Sequence, residues 1–114
     1  MLNRAALILR YKQPFVDWIN AVDPSPESHK LSLADTEEER TVYLIDEIDD
    51  LDHFQRWLAR NHKWLFEEEL NGWYTDPDLW PRDRSLKKLQ EWCSFELNTV
   101  VIDTGTSPLE DDDL

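Results

Sequence analysis

The most regular hydrophobic pattern of the chain lies between residues 51 and 72. Apolar residues recur there at helical spacing and occupy one side of a helix: Leu51, Phe54, Trp57, Leu58, Trp64 and Leu65. After Leu65 the apolar positions rotate to Phe66 and Leu70, so we expect the helix to bend or restart near Asn61. Aspartates at the start and Gly72 at the end are typical of helix boundaries. The pattern therefore predicts a long amphipathic helix against which the rest of the chain packs.

Two strands and a short helix are predicted before this helix. Residues 5–11, AALILRY, form a continuous apolar run, which predicts a central strand covered on both faces. Pro14 and the apolar spacing after it predict a helix that ends near Val22, followed by a polar loop over residues 23–38. The β-branched and aromatic residues 41–45, TVYLI, predict the second strand.

The last third of the chain is predicted to add two helices and one strand. Asp76 and Pro77 indicate a single helical turn, and a helix is expected over residues 84–93. Residues 99–103, TVVID, predict the third strand, with an earlier start at Phe95 as an alternative. The element order is thus β-α-β-α-α-β.

This order favours an α/β fold with a three-stranded sheet. With the most apolar strand in the centre, the strand order is 2-1-3, the pairing is parallel or mixed, and helices cover both faces. Residues 1–108 are expected to form a single domain, followed by a disordered acidic tail over residues 109–114.

The element order and the charge resemble those of barstar, a family of small acidic ribonuclease inhibitors. The resemblance is one of element order and charge and covers no motif, so it carries over no functional residue. The opening sequence NRAALILRYKQPFVDWIN is similar to that of small acidic bacterial proteins of unassigned function.

The net charge of −13, from 25 acidic and 12 basic residues, narrows the choice of partners. Such a chain is repelled by phosphate backbones and anionic membranes and attracts basic surfaces. We therefore expect a basic protein partner and neither direct nucleic-acid binding nor membrane binding. Cys93 is the single cysteine, so no intrachain disulfide is expected, and a cytoplasmic location is favoured.

An acidic surface and an aromatic loop are the candidate binding regions. Nine carboxylates lie between residues 35 and 52. The partner-binding candidates among them are Glu37, Glu38, Glu39, Asp46, Glu47 and Asp49. The Pro-stiffened loop over residues 73–81 adds Trp73, Tyr74 and Trp80, which either anchor a partner or close the core with only Tyr74 left exposed. These residues predict a non-catalytic protein-interaction domain, with a nucleic-acid mimic as one alternative.

A small enzyme is the other alternative. Asp46 and Asp103 follow the second and third predicted strands, and in a parallel sheet they would meet at one edge as a Mg²⁺ or phosphoryl-transfer site. Aspartates that simply end strands account for the same pattern. The sequence Asp103-Thr104-Gly105 resembles the catalytic loop of aspartic proteases, but only nine residues follow Gly105, so a turn is favoured. No cofactor is expected.

Overall fold

The computed structural model describes residues 1–26, 29–38 and 40–111. Its strands are β1 (Arg4–Tyr11), β2 (Val42–Asp46) and β3 (Cys93–Asn98). Its helices are α1 (Gln13–Val22), α2 (Leu33–Thr36), α3 (Leu51–Trp73) and α4 (Leu86–Trp92), with a 3₁₀ turn at Pro77–Leu79. The predicted α/β class is confirmed, and the short helix α2 is an element that the pattern did not predict.

The three strands form one sheet in the order β2-β1-β3, which confirms the predicted strand order. Both pairs are antiparallel, so the predicted parallel or mixed pairing is wrong. The reason lies in the connection after α1, which does not lead directly into β2. The Asn20 side chain binds both backbone groups of Leu31, at 2.8 and 2.9 Å, and thereby holds the returning chain against α1. β2 therefore starts beside the end of β1, where Val42 pairs with Ile8.

The helices of the described residues cover one face of the sheet, so the predicted helices on both faces are also wrong. Ala5, Leu7 and Leu9 of β1 point into the core, which α1, α3 and α4 all help to form. On the opposite face, Val42 and Leu44 of β2 remain exposed. An apolar run in a central strand predicts burial on both sides, but the alternate residues here face partly towards solvent.

Helix α3 runs unbroken from Leu51 to Trp73, close to the predicted bounds. It needs no restart, because its two apolar faces contact two different parts of the core. Phe54 packs on Phe95 of β3 at 6.3 Å between ring centroids, whereas Phe66 packs on Trp92 of α4 at 5.6 Å. None of the helices in the described part of the chain combines the length and the apolar character needed to cross a bilayer.

The third strand lies earlier than predicted, because β3 begins directly after α4. Cys93 pairs with Tyr11, and the preceding Trp92 carbonyl accepts a hydrogen bond from Lys12 N at 2.8 Å. Phe95 and Leu97 then pack against the core. The residues predicted as this strand, 99–103, adopt no regular structure.

The predicted acidic tail begins beyond the last strand. Leu109, Glu110 and Asp111 are exposed and have no regular structure, while residues 112–114 lie outside the described part of the chain. The single domain over residues 1–108 and the disordered tail over residues 109–114 therefore stay predictions.

Candidate functional site

A solvent-open cavity of about 580 Å³ lies between the end of β1, the start of β2 and the last turns of α3. Three aromatic residues line it: Tyr11, Tyr43 and Trp73. Three carboxylates and one guanidinium also line it: Glu38, Glu68, Glu69 and Arg40. The remaining lining residues are Thr41 and Gly72. The cavity is therefore aromatic and predominantly negative.

Glu69 is the centre of the polar network in this cavity. Its side chain is 8% exposed, and it is the one charged residue that is buried among the described residues. One carboxylate oxygen accepts a hydrogen bond from the Tyr11 hydroxyl at 2.7 Å, and the other accepts one from the Tyr43 hydroxyl. The Trp73 indole N–H donates to the Tyr11 hydroxyl at 2.9 Å. Four side chains from β1, β2 and α3 are thus held in one connected arrangement.

The same network changes the acidity of its phenols. Burial raises the pKa of Tyr11 above its usual range, and the nearby Glu69 charge raises it further. Burial also raises the pKa of Tyr43, as does its hydrogen bond to Glu69. Both hydroxyls therefore stay protonated and donate to the carboxylate at neutral pH. The pKa of Cys93 is raised mainly by burial, so its thiol is unsuited to nucleophilic chemistry.

The ring of Tyr11 is fixed in position by the core beneath it. It stacks on Phe15 with 3.9 Å between the ring centroids and an interplanar angle of 4°. Phe15 in turn packs edge-on against Trp92 at 5.5 Å. Because the supporting rings are buried, the Tyr11 hydroxyl cannot swing away from Glu69 without disturbing the core.

The predicted acidic surface is divided between the two ends of β2. Glu37 and Glu38 precede the strand and are exposed, and Glu38 lines the cavity. Asp46, Glu47 and Asp49 lie at the other end and are also exposed. A strand of this length separates the two groups by roughly 15 Å, since each residue adds about 3.3 Å. Glu39 lies outside the described residues.

The three aromatic residues of the predicted binding loop also lie in different environments. Trp73 is 40% exposed and lines the cavity. Tyr74 is half-buried and donates to the Ile19 carbonyl at 2.6 Å, while Trp80 is half-buried and donates to the Tyr74 carbonyl at 2.7 Å. Trp80 therefore packs beside the core, while Tyr74, which the core-closing interpretation expected to remain exposed, is half-buried and Trp73 is exposed instead. Of the three aromatic residues, Trp73 joins the cavity.

The two aspartates predicted as alternative metal ligands lie in different structural contexts. Asp46 is the last residue of β2, whereas Asp103 lies beyond the end of β3 in an irregular segment. Asp103 accepts a hydrogen bond from Gly105 N at 2.8 Å, which is the geometry of a local turn. Among the residues that the structure describes, no three His, Cys, Asp or Glu side chains are grouped so that they could hold a metal ion.

One feature of the sequence points to Glu69, although Glu69 was not among the predicted site residues. In the run Leu65-Phe66-Glu67-Glu68-Glu69-Leu70, the third glutamate falls on the buried face between Phe66 and Leu70. A carboxylate in an apolar stripe needs hydrogen-bond partners, so it marks a polar site. Tyr11 and Tyr43 had no comparable signal, because tyrosine is common at inward positions of strands.

No protein-family model, curated protein or solved structure matches the chain.

Proposed function

We propose that the chain is a non-catalytic protein-interaction domain that binds a basic partner protein at its acidic surface. The observation that carries this proposal is that Glu38, Glu68 and Glu69 share one open cavity with the exposed ring of Trp73. Exposed tryptophans are favoured anchors of protein interfaces, and carboxylates select a partner of opposite charge. This combination joins the acidic surface to one residue of the aromatic loop.

The electrostatics of the whole chain support a basic partner. The net charge of −13 attracts positively charged proteins over distances comparable to the Debye length, and it opposes contact with phosphate backbones or anionic membranes. Glu38 lines the cavity and Glu37 lies 4.0 Å from the lining residue Arg40, so both charges add to this attraction near the cavity. A nucleic-acid mimic is the special case in which the partner's basic surface is itself a nucleic-acid-binding cleft.

The partner is a protein and not a nucleic acid or a membrane. The domain acts in the cytoplasm, which a single buried cysteine and the lack of any possible intrachain disulfide support.

A short oligolysine peptide is a suitable probe for this proposal. We expect it to bind the full chain with an affinity that falls steeply as salt is added, because the attraction between exposed charges is screened over about 8–10 Å. Nuclear magnetic resonance titration should place the largest shifts at Glu38, Glu68 and Trp73. An oligoglutamate peptide of equal length is the control and should not bind.

Charge reversal gives a second measurement on the same probe. Replacing Glu37 and Glu38 by lysine should slow association more than it speeds dissociation. The matched control replaces Glu91 and Glu110 by lysine, which changes the net charge equally at exposed positions outside the cavity lining. If oligolysine fails to bind, if its affinity does not change with salt, or if both variants act alike, the proposal is wrong.

A further inference from the structure

Glu69 is a buried carboxylate without a cationic partner. Among the residues that the structure describes, no lysine, arginine or histidine nitrogen lies within 4.0 Å of its oxygens. A buried charge is ordinarily paired, because removing it from water is costly. A carboxylate has about four acceptor positions, and Tyr11 and Tyr43 occupy two of them. The group therefore keeps acceptor capacity for a cation that arrives from outside.

The aromatic wall beside Glu69 suits the same kind of ligand. The edge of the Trp73 indole is anchored by its hydrogen bond to Tyr11, but 40% of the residue remains exposed. A cation within about 6 Å of such a ring is attracted by its π electrons. Since the stacking of Tyr11 on Phe15 holds the network in place, little conformational entropy is lost when a ligand enters.

The charge and size of the cavity exclude the simpler ligands. Three lining carboxylates oppose the single guanidinium of Arg40, so an anion is disfavoured. A bare divalent ion requires several oxygen ligands at about 2.0–2.6 Å, and no three acidic, histidine or cysteine side chains of the described residues are grouped to supply them. A volume of about 580 Å³ lies within the range of about 300–1,000 Å³ that organic ligands occupy.

Arg40 is a potential competitor within the cavity. Its guanidinium lies 4.0 Å from Glu37, and it lines the same cavity as Glu69. A second positive charge that enters the cavity is repelled by Arg40 while it is attracted by the carboxylates. Removal of Arg40 should therefore strengthen the binding of an organic cation.

Resting on the proposed function, we infer that this cavity receives one lysine or arginine side chain of the basic partner. The cationic head group pairs with Glu69, and the aliphatic stem lies along the ring of Trp73. Glu68 and Glu38 attract the side chain at the cavity mouth. The cavity thus selects one residue of the partner, whereas the exposed acidic surface contributes only general attraction.

Butylammonium chloride tests this inference directly, since it represents a lysine side chain without a peptide backbone. The full chain is titrated at constant ionic strength, with sodium chloride replaced in steps, and the backbone amide resonance of Gly72 is followed, because Gly72 lines the cavity and is retained in every variant. We expect a saturable shift. Glu69→Gln should weaken binding by about tenfold, because it removes one charge-assisted interaction. Glu91→Gln makes an equal change of charge at an exposed position of α4 and should leave the affinity unchanged.

Two further variants test the contributions of Trp73 and Arg40 separately from that of Glu69. Trp73→Leu should weaken binding severalfold, whereas Leu79→Ala, at an apolar residue of similar exposure outside the cavity lining, should not. Arg40→Gln should strengthen binding severalfold. If Glu69→Gln does not fold, Glu68→Gln at the exposed cavity mouth replaces it, with an expected weakening of about threefold.

The outcomes distinguish this inference from the proposed function. Oligolysine that binds in a salt-dependent manner supports the proposed function. If butylammonium then causes no saturable shift, or if the Glu69, Glu68 and Trp73 variants all bind it like the wild type, the single-side-chain inference is overturned while the proposed function stands. If oligolysine does not bind at all, the proposed function fails. Saturable butylammonium binding that the Glu69 and Trp73 variants weaken supports the inference.

Discussion

The Tyr11 hydroxyl donates a 2.7 Å hydrogen bond to the Glu69 carboxylate, although 58 positions separate the two residues in the sequence. The bond joins the central strand β1 to the buried side of α3. Tyr43 makes the equivalent connection from β2. One carboxylate thus fixes two strands against the helix that covers them, and the loss of either phenol should loosen this contact.

Replacement of either phenol by phenylalanine measures this contribution. Tyr11→Phe and Tyr43→Phe should each lower the free energy of unfolding by about 1.5–3 kcal/mol, because hydrogen bonds to charged groups contribute more than neutral ones. Tyr74→Phe is the matched control: its hydroxyl donates to a neutral carbonyl, that of Ile19, so about 0.5–1.5 kcal/mol is expected. Chemical denaturation measures all three. Equal losses in the three variants would contradict the special role of Glu69.

Alkaline pH should destabilise the fold through the same phenols. The pKa values of Tyr11 and Tyr43 are raised in the folded state, mainly by burial, above the value of about 10 for an unfolded tyrosine. The stabilisation is therefore fully present below pH about 10 and is lost as the pH rises further, because the unfolded chain then releases protons that the folded chain retains. Phenolate absorbance and circular dichroism should change together above pH about 10. Ionisation of these phenols near pH 10 in a chain that stays folded would contradict this prediction.

Two leucines of the predicted apolar stripe test which side of α3 faces the core. Leu58 is 3% exposed, whereas Leu51 is 67% exposed. Leu58→Ala should lower the free energy of unfolding by about 2–5 kcal/mol, since it leaves a cavity in the core. Leu51→Ala removes the same atoms at the surface and should change it by less than about 0.5 kcal/mol. Similar losses in both variants would show that the helix is rotated about its axis.

Removal of the acidic tail should not affect folding. Leu109, Glu110 and Asp111 are exposed, and such a charged segment has too little apolar surface to bury. A chain that ends at Pro108 should keep its free energy of unfolding within about 0.5 kcal/mol of the full chain. A large drop in the melting temperature would instead show that the tail docks on the domain.

Helix α3 and the strand order were predictable because both depend on hydrophobic patterning. The spacing of Phe54, Trp57 and Leu58 is incompatible with a strand, and the continuous apolar run of β1 indicated the central position. Leu51 and Trp64 belong to the same pattern but remain exposed: Leu51 is the first residue of the helix, and Trp64 lies beside Tyr43 of β2 with 6.1 Å between the ring centroids. Periodicity therefore identified the helix but not which part of its apolar stripe is buried.

Strand direction was not predictable from the pattern of apolar residues. It depends on how the chain returns after α1, and the contact that guides this return is the pair of hydrogen bonds between Asn20 and Leu31. The predicted location of β3 was wrong for a related reason. Thr99 to Asp103 has the stronger β propensity, but the pairing of Cys93 with Tyr11 places the strand earlier.

The candidate site was predictable only in part. Glu38 and Trp73 were recognised from charge and aromatic content, whereas Glu69, Tyr11 and Tyr43 were not. The three missed residues lie on different elements and meet only through tertiary packing. A single acidic residue on an apolar helix face, as at Glu69, is the sequence feature that identifies such a site.

The central position of β1 has a consequence for biosynthesis. Ala6 of β1 pairs with Asn98 of β3, so this strand is made well before its last neighbour. At about 5–20 residues per second, roughly five to twenty seconds pass on the ribosome between the two. During that interval the apolar run AALIL has an unpaired edge, which is a template for aggregation. Chaperone contact with the nascent chain should therefore be concentrated on this strand until Cys93–Asn98 has been released.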